Sequence, residues 1–160
     1  MILRGDKTMQ EETLLYNIYP LLDIITNNSY KKNINLHHLN LTLYFCFSFY
    51  ANQFGKNKNY PKYLFNQGYF IADDLGPKLI IEHQRHTWLH EYIDQKISNY
   101  EIPEDVLELI IDVAQSCNEL DEFQLADRSH MDDCWKNHFR KEDNTIPFEE
   151  IWEEYINKDI

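Results

Sequence analysis

The sequence predicts a mainly α protein: one compact helical domain of about six helices with little or no strand. Three observations carry that expectation. Apolar residues recur at three- and four-residue spacing in several separate stretches. Proline and glycine fall between those stretches, where helices start and stop. The 160 residues are 43% apolar and 14% aromatic, enough for one domain with its own core.

The elements follow in order. Residues 1–9 read as a frayed terminus and residues 10–160 as the domain. From Gln10 to Ile25, the residues Leu14, Ile18, Leu21, Leu22 and Ile25 keep helical spacing, with Pro20 kinking or restarting the helix. A polar loop, 27–35, leads to a second helix from Leu36 to about Phe54 that is apolar nearly all round and closed by Gly55, which marks it as the central core helix. A long loop, 55–68, precedes a short β-like stretch, Tyr69 to Ala72, and a turn, Asp73 to Pro77. Pro77 suits a first helical turn, so a third helix is expected from Pro77 to Asn99. Pro103 opens a fourth, to Cys117, with Val106, Leu107, Ile110, Ile111 and Ala114 on one face. A shorter helix covers Asp121 to Ser129. The last runs from Pro147 to Ile156, capped by Thr145, with Phe148, Ile151, Trp152 and Tyr155 as its buried stripe.

Charge is the unusual feature. Fifteen basic against 27 acidic residues make a net charge of -12, which excludes sequence-general binding to nucleic acid and disfavours anionic membranes. Residues 1–100 hold 10 basic and 9 acidic side chains, whereas residues 101–160 hold 5 and 18, a net of -13. The acidity comes in doublets, among them Asp132-Asp133, Glu149-Glu150 and Glu153-Glu154. Glu149/Glu153 and Glu150/Glu154 are like charges at i,i+4, each pair costing about 0.2–0.5 kcal/mol of helix stability. Local helix stability does not account for the cluster, so a basic protein partner is one reading and a solvated, solubilising face the other. Replacing these four glutamates by glutamine is expected to leave the helix intact.

Other chemistry is sparse. No apolar run reaches spanning length and the N-terminus lacks the apolar core of a signal peptide, so a cytoplasmic protein is expected. Cys46, Cys117 and Cys134 are odd in number and widely spaced, as free buried thiols are. His83, His86 and His90 share one helical face, either as a polar stripe or as part of a metal site, but H-E-x-x-H is absent. No phosphate-cradling loop or nucleophile elbow occurs, and the paired carboxylates lack a pocket context, so neither an enzyme nor a cofactor is expected.

Three segments stand together: Leu39 to Phe45, Phe70 to Pro77, and Leu125 to Trp135. Their order and spacing resemble the Panacea domain, the SocA-like antitoxin domain, whose members read approximately L-Q-K-L-L-Y-F, F-x-A-W-x-Y-G-P and L-x-x-x-T-H-x-x-x-x-W. Leu39, Leu43, Tyr44 and Phe45 fit the first motif, Phe70, Ala72, Gly76 and Pro77 the second, and Leu125, Ser129, His130 and Trp135 the third. The likeness spans roughly residues 10–156. Leu41, Asp73 and Leu75 stand where the family has lysine, tryptophan and tyrosine, so charge replaces an aromatic edge at the turn. These motif residues read as mostly architectural, with Ser129-His130 capping a helix or bonding to the turn and Trp135 in the core.

The resemblance implies a non-catalytic, protein-binding inhibitor that neutralises a toxin by direct contact. The acidic end and the Asp73-Asp74-Leu75 turn are the expected contact surface, comprising Asp132, Asp133, Glu149, Glu150, Glu153 and Glu154 besides the turn. The partner expected is a basic protein, either a toxin or a nucleic-acid-binding enzyme. The alternative is a phage-encoded, anti-CRISPR-like protein that blocks the basic nucleic-acid groove of a host nuclease.

Overall fold

A computed structural model describes residues 13–29, 35–81 and 102–160. In chain order the elements are β1 (Thr13–Leu15), α1 (Tyr19–Asn27), α2 (Leu36–Phe54), β2 (Tyr63–Phe65), β3 (Tyr69–Asp73), β4 (Gly76–Ile80), α3 (Glu104–Asn118), α4 (Glu122–Ser129), α5 (Asp133–Lys136), β5 (Thr145–Ile146) and α6 (Phe148–Ile156). Strand is a real component. Of the described residues 52% are helical and 15% lie in two sheets, so the expected mainly α fold is corrected to a mixture of helix and sheet.

The core is organised by α2. Asn35 caps it, its side chain accepting from the amides of His37 at 2.8 Å and His38 at 3.2 Å. Nearly every side chain from His38 to Phe54 is buried, because α3, α4, α6, β2 and β4 pack around it on different sides. Phe47 sits within an aromatic cluster, its ring centroid 4.8 Å from Phe148, 5.2 Å from Phe65 and 5.8 Å from Phe70.

Two small sheets lie against it. β1 pairs in parallel with β2, Thr13 opposite Tyr63 and Leu15 opposite Phe65. β3 is the middle strand of the order β4-β3-β5, antiparallel to both neighbours. Its burial alternates, turning Phe70 and Ala72 inward.

Several sequence expectations change here. Thr13–Leu15 is strand and α1 begins only at Tyr19, which places Pro20 in the first turn, where its missing N–H costs nothing. Pro77 opens no helix. It lies in β4 opposite Ala72, tolerated because β4 is, among the described residues, an edge strand with no ladder partner on its outer side. The backbone of that edge is partly satisfied from α2: buried Asn40 accepts from the Leu79 amide at 3.0 Å. The remainder of the expected third helix, including His83, His86 and His90, lies outside the described residues. Thr145 caps nothing; it belongs to β5, and Pro147 occupies the N-cap position of α6. The Asp121 expectation differs, since its side chain caps α4 in a capping box with Gln124.

Candidate functional site

The three motif segments meet at the β3–β4 turn. Gly76 has φ +105°, and a Cβ there would lie 2.5 Å from Ser129 Oγ and 2.8 Å from a Leu41 methyl. Glycine is required on both counts: backbone conformation and close approach. The carbonyls of the turn are taken by the third motif. Trp135 Nε1 donates to the Asp73 carbonyl at 2.9 Å, and His130 Nε2 lies 3.0 Å from the Asp74 carbonyl. The His130 ring stacks on Trp135 at 3.9 Å, and Trp135 on Phe139 at 4.3 Å. Ser129 is buried and donates to the Ala126 carbonyl at 2.7 Å, which leaves its oxygen packed against Gly76. Tyr44 and Phe70 lie beneath, their rings edge-on at 5.7 Å. Hydrogen bonds and packing therefore employ all of these residues architecturally.

Beside this clasp lies a buried charge. Asp132 has no solvent exposure. Its Oδ2 accepts from the hydroxyls of Tyr44 and Tyr155, each at 2.6 Å, and its Oδ1 from Lys158 at 2.5 Å and Arg128 at 3.3 Å. Tyr44 Oη is also 3.2 Å from Cys134 Sγ. Burial pushes the Tyr44, Tyr155 and Cys134 protons to much higher pKa than usual, and the Asp132 charge adds to this for each. Burial alone would lower the Lys158 ammonium, but its bonds to Asp132 and Glu154 outweigh that and hold it above the ordinary value. The carboxylate is neutralised from within, so it offers nothing to a partner, contrary to its expected place on the contact surface.

Most of the acidic residues of α6 are engaged in the same way. Glu154 accepts from the amides of Asp133 at 3.0 Å and Cys134 at 2.7 Å, at the open N-terminus of α5, and pairs with Lys158 at 2.9 Å. Glu149 accepts from Lys62 at 2.5 Å and Tyr63 at 2.9 Å; burial would raise its pKa, and these two donors lower it overall. Glu150 bonds His138 at 2.8 Å and Asn137 at 3.2 Å. The like charges at i,i+4 are thus offset by tertiary partners, which no local rule reveals. Asp133, Glu153 and Asp74 remain exposed, while Asp73 and Leu75 are half-buried.

A further row of acidic residues lies along α3, a helix without a basic residue. Glu104, Glu108 and Asp112 are exposed at successive i,i+4 positions, followed by exposed Glu119 at the C-cap, and none has a side-chain partner among the described residues. Glu104/Glu108 and Glu108/Asp112 each cost about 0.2–0.5 kcal/mol of helix stability. Glu119 opposes the negative end of the helix dipole. The i,i+4 signal that drew attention to α6 is present here too, and the two rows differ only in what tertiary structure places against them.

Among the described residues, no group of three or more His, Cys, Asp or Glu side chains is arranged to hold a metal ion, and no helix is long and apolar enough to cross a membrane. Comparison with protein-family models, curated proteins and solved structures returns no match.

Proposed function

We propose that the chain is a non-catalytic protein-binding inhibitor, similar to a type II antitoxin, which covers a basic protein by direct contact with an acidic surface. The observation that carries this reading is the α3 row of Glu104, Glu108, Asp112 and Glu119, exposed and without a side-chain partner among the described residues. A row kept at the expense of helix stability has its use in an outside field, and it would steer a basic partner to the surface. The clasp of the three motif segments around Gly76 supports the antitoxin likeness, since it gives the matching Gly76, Ser129, His130 and Trp135 structural tasks. The test is co-expression: a toxin encoded beside this gene arrests growth alone and is neutralised, as a stoichiometric complex, in its presence. Lack of both rescue and complex overturns the proposal.

The regular spacing favours one second reading. Carboxylates at i,i+4 recur about every 6 Å along the helix, a ladder of negative charge resembling that of a nucleic-acid backbone. An anti-CRISPR-like protein blocking a nuclease's basic groove would displace DNA or RNA from that enzyme and would rescue no toxin.

A further inference from the structure

Between α3 and α4 lies an open cavity of about 240 Å³. Phe45 and Phe49 of α2 form its floor and wall, with Cys117 and Leu120 on one side and Leu125 on the other. Burial pushes the Cys117 thiol up to about 12, so that wall is a neutral apolar group. Arg128 is the one charged residue in the described lining; its side chain is 40% exposed, and buried Asp132 holds one end of it. Its Nη1 is 3.3 Å from buried Asp132, and the guanidinium lies 5.8 Å from the Phe45 ring centroid. Apart from that guanidinium and Ser116 the described lining is apolar, so the cavity suits an apolar group.

Its rim is acidic. Ser116 lines the mouth; Asp112 stands one turn before it and Glu119 one turn after, on the same helical stripe, both exposed and unpaired among the described residues. We propose that this cavity receives one apolar side chain, of phenylalanine or leucine size, from a basic segment of the partner, whose flanking lysines or arginines meet Asp112 and Glu119. This rests on the proposed function and gives it a contact point. A cavity of about 150 Å³ already holds a benzene ring, so the space suffices for such an anchor. A second copy of the chain fits poorly, since it would bring the same carboxylates face to face. A small anionic ligand meets the same negative rim.

The experiment uses the full chain with methyl-labelled leucines and a helical probe peptide of alanine and lysine carrying one central phenylalanine. The Leu120 and Leu125 methyls should shift on titration. Affinity should fall about tenfold when the phenylalanine is replaced by alanine, and vanish when the lysines become glutamates. Ser116→Trp, which fills the mouth from an exposed position, should weaken binding about tenfold with unchanged salt dependence. Unmoved cavity methyls, or full affinity in Ser116→Trp, overturn the anchor cavity. If the lysine peptide then binds elsewhere on the acidic surface, the inhibitor reading stands without it; if no lysine peptide binds, both fall. The wild-type titration decides the matter even should the tryptophan variant fail to fold.

Discussion

Replacing Asp132 by asparagine keeps the shape of a wholly buried side chain and removes its charge. Four donors converge on the carboxylate: two tyrosine hydroxyls at 2.6 Å, Lys158 at 2.5 Å and Arg128 at 3.3 Å. An amide can turn its oxygen toward the two cations and its NH₂ toward the hydroxyls, which then rotate to accept. Each bond survives as a weaker one, falling from about 1.5–3 to about 1 kcal/mol. Lys158 and Arg128 keep their charges with less to balance them, although Lys158 retains Glu154 at 2.9 Å. Together these place the loss near 3 kcal/mol, at the lower end of what breaking a buried pair costs. For a domain of this size that is a fall in Tm of about 6–12 °C. Thermal unfolding followed by circular dichroism measures it, and Tyr155→Phe in both backgrounds measures the coupling. A Tm within about 2 °C of wild type, or strict additivity of the two changes, would refute the claim that Asp132 organises the cluster.

Other outcomes follow from the same contacts. Gly76→Ala meets both Ser129 and the positive φ, and should cost at least about 2 kcal/mol in a urea titration, whereas Ser129→Gly alongside it should recover part of the loss. Asn40→Leu removes the bond that α2 offers the Leu79 amide and should cost about 1 kcal/mol, with faster amide exchange along β4. Stability should decline above about pH 9. The unfolded state releases the protons of Tyr44, Tyr155 and Cys134 at ordinary pKa values while the folded state retains them, so raising the pH favours unfolding. The Lys158 ammonium acts in the same direction: its raised pKa lends stability that is complete below the unfolded value and lost as pH climbs through the folded one. Glu149→Gln with Glu154→Gln should destabilise the protein, although sequence reasoning expects relief of repulsion; an unchanged or raised Tm would show the bonds to Lys62, Tyr63 and the α5 amides to be idle.

By itself the sequence determined α2, α3, α4 and α6. α2 is a long run apolar nearly all round, α3 a long apolar stripe and α4 a shorter helical stretch, Gly55 and Pro103 mark ends, and such signals act within a few residues of chain. It also marked the turn at Gly76, and it located the excess of negative charge in the last 60 residues. Tertiary structure decided the strands. Thr13–Leu15, Tyr63–Phe65 and Gly76–Ile80 are too short to declare themselves, and their pairing energy comes from partners distant in the chain, as Leu15 opposite Phe65 illustrates. It decided as well which carboxylates are free. Glu104 and Glu108 on α3 read in sequence just as Glu149 and Glu153 do on α6. Only folding brings Lys62, Tyr63, His138 and Lys158 against α6, while the α3 row meets no such partner among the described residues, because charge is local to a residue and its neutralisation depends on what lies across the fold.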